Sequence, residues 1–461
     1  MAVCEYCKTT VLKDADSVKD IGKMSDVLED FSPIQIGTSG VYGSKSFSVV
    51  GRIQLRYSAG MWNEWYVLFD DGQTAWLGDA SGQYMLTTEK KLDEPPPGFG
   101  ELTPSRNFAI DGRNYTVSDV RTAQCIGGQG ELPLQVGEGW QARVADLRGG
   151  ASFLTLDYSD GDQPAVYTGQ AVTLDELKCQ LLRDDEAIKE TAGRYRGKLS
   201  PLNCPSCGSS VTYLPGVTTH LVCPSCQAQL DTTGPVAEVL AAGDRAASVR
   251  MTLELGAQAT INGRQYDLIG AMRRRDEEGS IWTEYLLYSA RGGFLWLVET
   301  DEGWFRATVQ NYWPRWVGDS AALEARSFRK LYDYSAEVTY AAGAFNWRVA
   351  AGDLTRVVEF KGGPDLLAAE ITQEEMTWSF SSPVPADQIR AWFGEGVQAD
   401  KTPVNEGELT DLAVKIIKGM LIVNCIPLLE AFGSVWFLML IASIAIYVPA
   451  WYLDTFEKGA S

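Results

Sequence analysis

Histidine is nearly missing from this chain: His220 is the single one among 461 residues. Catalysis of the Ser-His-Asp or Cys-His kind therefore has one possible base, and no nucleophile motif lies near it. Positive charge is also scarce. Forty Lys and Arg face 60 Asp and Glu, a formal net charge of −20. A nucleic-acid binder needs cations to displace phosphate counterions, so nucleic acid is not expected as a partner. The one arginine run, Arg273-Arg274-Arg275, is followed at once by Asp276-Glu277-Glu278 and reads as a solvated hairpin. The N-terminus carries no apolar leader of the secretory kind. No Walker-type loop appears, and no Gly-x-Gly-x-x-Gly follows a strand into a helix.

What the chain does contain is paired cysteine. Cys204-Pro-Ser-Cys207 and Cys223-Pro-Ser-Cys226 are two knuckles separated by fifteen residues. Four thiolates at this spacing predict a tetrahedral Zn2+ site. Because four protein ligands leave no open position, the expected role is structural, replacing a core that so short a ribbon cannot build. His220, three residues before Cys223, reads as a ribbon-strand residue. A third knuckle, Cys4-Glu-Tyr-Cys7, has no mate and offers an incomplete metal site. Metal-type spacing without export argues for reduced thiols and a cytoplasmic bulk.

The chain also repeats itself. Trp62-x-Glu64-Trp65 matches Trp282-x-Glu284-Tyr285, and Gly72 and Trp76 match Gly292 and Trp296, all at an offset of 220. Phe47 to Gly51 matches Tyr266 to Gly270 at 219, and Cys4 aligns with Cys223 at the same offset. A shorter echo, Ile110-Asp-Gly-Arg-Asn-Tyr115, matches Ile261-Asn-Gly-Arg-Gln-Tyr266, and Ala341 to Val349 reads as a fourth, degraded copy. With alternating runs bounded by Asp-Gly and Gly-Gly turns, this predicts a mainly β chain of four small meander or barrel units in two pairs. The repeated Glu64 and Glu284 read as fold elements that bond a turn. Asp157 to Asp162 reads as an exposed hairpin turn and not a calcium loop, since strands flank it.

The expected organisation is a remnant of a first ribbon at 1–12, a first β pair at 31–170, a linking helix at 171–196 opened by a Thr173/Glu176 capping box, the zinc ribbon at 200–232, a second β pair at 248–382, a short helix at 385–394 and a membrane segment at 411–453. On this register the mate of the first knuckle falls before residue 1, so Met1 reads as an internal or trimmed start. Ala431 to Leu453 carries no charge over 23 residues, enough for a transmembrane helix, with Trp451 and Tyr452 where an interfacial belt lies. Lys415 and Lys418 upstream favour a single-pass inner-membrane protein with its bulk in the cytoplasm.

The Cys-Pro-x-Cys ribbon, the Trp62-to-Tyr66 strand, the repeated β unit and the apolar tail together resemble a bacterial family catalogued as domain of unknown function 4178, over about residues 1–400. The resemblance implies architecture and no assigned chemistry. It also implies the company of membrane-stress and polyamine-synthase-like genes. The truncated first ribbon departs from the pattern. The function expected is a non-enzymatic, membrane-anchored adaptor with protein partners. The alternative is an enzyme or enzyme subunit acting on a small cationic substrate such as a polyamine, steered by the acidic charge.

Overall fold

The structure, a computed structural model, describes residues 2–3, 9–14, 17–23, 30, 32–58, 60–80, 82–134, 136, 139–184, 188, 203–209, 220–231, 238–241, 249, 251–289, 292–399, 408–424 and 434–456. It falls into two compact units, residues 1–400 and 401–461.

The first half of the larger unit consists of β1 (Ala2–Val3), β2 (Thr9–Asp14), β3 (Ser17–Lys23), β4 (Ser39–Tyr42), β5 (Lys45–Tyr57), β6 (Gly60–Phe69), β7 (Thr74–Ala80), β8 (Gln83–Glu89), β9 (Asn107–Ile110), β10 (Arg113–Glu131), β11 (Gln141–Gly149), β12 (Ser152–Asp157) and β13 (Ala165–Val172). The second half consists of β14 (His220–Val222), β15 (Gln229–Asp231), β16 (Glu238–Ala241), β17 (Gln258–Ile261), β18 (Arg264–Arg275), β19 (Ile281–Ser289), β20 (Gly293–Thr300), β21 (Gly303–Val309), β22 (Arg315–Val317), β23 (Ser320–Leu323), β24 (Arg326–Phe345), β25 (Leu354–Gly362), β26 (Asp365–Ile371) and β27 (Met376–Val384).

One local device opens each meander. The chain turns through the left-handed region at Gly43, Asp111, Asn262 and Glu324, with φ of 61°, 48°, 52° and 53°. Such a turn suits the twist of a two-residue hairpin. Four residues past each turn stands an aromatic ring, Phe47, Tyr115, Tyr266 or Phe328, each no more than 8% exposed. The fourth copy thus starts at Ser320, not within Ala341 to Val349, which the structure places at and just past the end of β24. Sequence comparison misses it because Glu324-Ala325 stands where the second and third copies have Asp111-Gly112 and Asn262-Gly263 and the first has Gly43-Ser44.

The four expected units are two closed barrels. An open four-stranded meander leaves two unpaired edges. Here β5–β8 and β10–β13 pair at both edges, through β10 with β5 and β13 with β8. Likewise β18–β21 and β24–β27 close through β24 with β18 and β27 with β21. Alternation then sends the two faces to different places. Trp65, Val67 and Phe69 of β6 pack outward with Phe47, Ile34 and Leu177. Trp62 and Glu64 face the lumen. On the outer face Arg52 is held by Asp30 at 2.6 Å and by Asn63 at 2.7 Å.

The linking helix expected at 171–196 is not a helix over its described stretch 173–184. Its capping box does close, with Thr173 N–H donating to Glu176 Oε2 at 2.8 Å and Glu176 N–H to Thr173 Oγ1 at 3.2 Å. The carbonyl of Leu177 then accepts from Val41 N–H, and Gln180 exchanges two backbone bonds with Ser39. The edge strand β4 thereby takes the groups that a helix would use, and the chain leaves through left-handed Lys178 and Leu181. Residues 185–187 and 189–196 lie outside the described residues. The short helix α1 (Ala386–Phe393) buries Ile389 in the core of the second barrel.

The two barrels stack head to tail. Asp119 bridges Glu375, Gly150 bridges Trp313, and Arg121 pairs with Glu375. Gln83 and the turn at 149–152 on the first barrel meet the exit at 310–313 on the second, Gln83 Nε2 donating to Asn311 Oδ1 at 3.3 Å, while Asp119 and Arg121 meet the turn at 372–376. The two lumens form one open cavity of about 1480 Å³.

In the smaller unit, α2 (Glu408–Val423) and α3 (Ser434–Phe456) pack against each other. The membrane segment expected at 411–453 is thus two helices. Among the described residues no helix is long and apolar enough to cross a membrane.

Candidate metal centre and ligand cavity

The ribbon is built onto the second barrel. β14 pairs with the end of β24, Val222 opposite Gly343 and His220 opposite Phe345. The first barrel carries the same joint, with Val3 of β1 opposite Gly130 of β10. Each knuckle of the ribbon is the same turn. Gly208 N–H donates to the Cys204 carbonyl and Cys204 N–H to Ser209; Gln227 N–H donates to the Cys223 carbonyl and Cys223 N–H to Ala228. The turns close through left-handed Gly208 and Gln227, φ 77° and 59°.

These turns bring Cys204, Cys207, Cys223 and Cys226 together, with all four Sγ within 4.8 Å of one another. The pairs Cys204–Cys226 and Cys207–Cys223 are 3.8 Å apart. A tetrahedron with metal–sulfur bonds of about 2.3 Å has edges of about 3.8 Å, so the donor set fits a bound metal ion. Burial pushes the Cys223 thiol up to about 12, whereas Ser209 Oγ, 3.3 Å from Cys207 Sγ, holds that thiol down at about 6. His220 is buried on β14 and is not one of the converging ligands. Cys4 and Cys7 lie outside the described residues.

The lumens hold the chemistry that sequence reading passed over. Glu64 and Glu284 bond no turn. Each takes the indole N–H of its own neighbour, Trp62 at 2.9 Å and Trp282 at 2.7 Å. Two further carboxylates join each glutamate along the lumen wall: Asp146 and Asp157 in the first barrel, Glu359 and Glu370 in the second. The ladders make these equivalent. Val144 lies opposite Asp157 as Val357 lies opposite Glu370, and Asp146 opposite Thr155 as Glu359 opposite Ala368. The arginine run is likewise split by strand alternation. Arg275 is solvated and paired with Glu337, while Arg274 is 3% exposed in the lumen. Its guanidinium reaches Glu284 at 3.2 Å and Glu370 at 2.9 Å and lies 5.8 Å from the Trp282 ring centre.

Among the described residues no such cation pairs with the glutamate of the first barrel. Burial pushes Glu64 up to about 8, with Asp146, Asp157 and Asp79 adding to the rise against the Trp62 bond. Asp146 is raised too, mainly by burial. Arg121 is engaged by Asp119 at 2.5 Å and by Glu375. Arg148 leans over Phe153 and Trp313, has no ion pair among the described residues, and is lowered by burial to about 10. A period-two reading of β11, β12, β25 and β26 shows which carboxylates share a face, but the strand partners decide that they meet.

Fold and cysteine centre together define a class: a duplicated eight-stranded barrel protein with a four-cysteine ribbon stitched to one sheet. The chain belongs to the family described as domain of unknown function (DUF4178), whose model matches residues 35–174 and 254–386. Each match covers one barrel. No curated protein matches the chain. Among solved structures, it shows 9% identity to the LG1-3 region of the laminin alpha2 chain, covering 80% of this chain and 59% of that one. The TM-score of 0.10 gives that likeness no weight.

Proposed function

We propose that this protein is a membrane-tethered, non-enzymatic adaptor. Its paired barrels form the binding body on the cytoplasmic side of a bacterial inner membrane, its ribbon is fixed by structural Zn2+, and its tail is the tether. The observation that carries the reading is the apolar surface of α3. Phe437, Leu440 and Ile444 are 65%, 57% and 52% exposed, and Trp436, Ile441 and Val448 are each close to half exposed. Water does not tolerate such a surface; lipid does. The four-thiolate donor set supports zinc in a structural role. Protein partners are expected on the barrel rims, and the charge of −20 speaks against nucleic acid.

Fractionation tests the tether. The full chain should sediment with membranes and need detergent for release, and a chain ending at Asp400 should stay in the supernatant. A shortened chain still bound to membranes overturns the reading. A second reading, an enzyme or enzyme subunit acting on a small cationic substrate, is favoured by one observation: Glu64, held at about 8, can exchange a proton near neutrality. Turnover of such a substrate that Glu64→Gln abolishes would select it.

A further inference from the structure

The two barrels are copies, so a group present in one and missing from the other marks what differs in use. In the second barrel Arg274 fills the lumen, its guanidinium shared by Glu284 and Glu370 beside Trp282. In the first barrel the corresponding glutamate, aspartate and indole are Glu64, Asp157 and Trp62. The residue corresponding to Arg274 is Leu55. The ladders fix this assignment: Leu55 lies opposite Trp62 and Cys125, as Arg274 lies opposite Trp282 and Val338.

A second difference points the same way. Opposite Glu284 stands Val298, but opposite Glu64 stands Gly78. A Cβ on Gly78 would lie 3.4 Å from Glu64 Oε2, so the glycine leaves space against the carboxylate. Leu55, Trp62, Glu64, Gly78, Asp146 and Asp157 all line the cavity. The acids also outnumber the bases on this wall. Glu64, Asp119, Asp146 and Asp157 face only Arg121 and Arg148, and the structure shows no ion pair to Glu64, Asp146 or Asp157 among the described residues.

We propose that the first lumen binds an organic cation, a guanidinium or a primary ammonium, at Glu64, Asp146 and Asp157 against Trp62, in the place that Arg274 fills in the second. The second barrel shows the bound arrangement with its own side chain as the ligand. Two carboxylates share one planar cation, and an indole face covers it. A divalent metal ion is less suited, because the wall offers an indole and an isobutyl group where such an ion needs further oxygen ligands. The raised Glu64 then has a physical meaning: the proton stands in for the missing cation, and binding releases it. The proposal is independent of the membrane tether.

The test is titration calorimetry on the full chain in detergent, with methylguanidinium, agmatine, tetramethylammonium and Mg2+ as separate ligands. One site per chain is expected for the first two, with a heat that changes with the ionisation enthalpy of the buffer as the Glu64 proton leaves. Tetramethylammonium, which cannot donate hydrogen bonds, should bind on the order of 10- to 100-fold more weakly than agmatine. Leu55→Arg should abolish binding by filling the site from within. Should that variant not fold, Glu64→Gln and Gly78→Val serve in its place, each weakening agmatine on the order of 10- to 100-fold. Arg274→Leu should raise the stoichiometry to two. No binding of either guanidinium by the folded wild type, binding of Mg2+ alone, or agmatine affinity unchanged in the folded variants overturns the proposal. Loss of membrane association on tail removal leaves it untouched, so the two readings fail separately.

Discussion

Replacing Glu64 with Gln should make the protein more stable, and increasingly so as pH rises. The glutamine keeps an oxygen for the Trp62 N–H, 2.9 Å away in the native site, but never ionises. Folding raises the Glu64 carboxyl from 4.5 to about 8, so between those values the native state holds a proton that the unfolded chain has lost. Below the lower value both states are protonated and the carboxyl costs nothing. Above the upper one both are ionised, and the native state bears the whole cost of a buried anion repelled by Asp146, Asp157 and Asp79. Stability is therefore present at low pH and lost as pH rises through the window. The ceiling is about 5 kcal/mol above pH 8, and at pH 7 the difference is about 3 kcal/mol. Urea titrations of wild type and Glu64→Gln at pH 5, 7 and 9, in buffers free of organic cations, measure it. Taking the difference cancels the titrating groups that do not interact with Glu64. A gap that stays flat with pH, or a glutamine variant less stable than wild type at pH 9, refutes the buried-anion account.

Removing the metal should expose the ribbon thiols. Cys204 and Cys223 are 1% and 0% exposed, so chelation should add all four ribbon cysteines to the pool titrated by a thiol reagent under native conditions. Unchanged thiol counts after chelation, or no metal by elemental analysis, counts against the centre. The turn at Glu324 gives a backbone test. A non-glycine residue at φ 53° sits in a region costing about 1 kcal/mol, which asparagine, present at the equivalent position 262, tolerates better. Glu324→Asn should raise stability by about 0.5 to 1 kcal/mol and Glu324→Val should lower it; the opposite order in thermal melts would dismiss the turn as a repeated device.

Much of this was legible in the residues. The knuckle spacing named the four cysteines, because each knuckle is a local turn whose ligands need only one partner turn. The offset of 219 to 220 exposed the duplication, because hairpin turns and inward-facing tryptophans constrain residue type one position at a time. The fourth repeat escaped because Glu324 keeps the left-handed first position of the turn without its usual residue, and Ala325 follows where the second and third copies have left-handed Gly112 and Gly263. The helix expected after Thr173 failed for another reason. A capping box is a local signal, and the edge of β4, distant in sequence, outbid it for the same backbone groups.

By itself the sequence determined that this chain is a doubled, cysteine-stapled β protein with an apolar tail, since turn chemistry, alternation and ligand spacing are written along the chain. Only the tertiary structure decided that four meanders close into two barrels, that the barrels share one cavity, and that Glu64, Asp146 and Asp157 meet inside it. Those outcomes depend on which strand edges find each other. Edge pairing is set by closure between strands 62 to 88 residues apart, and no local pattern records it.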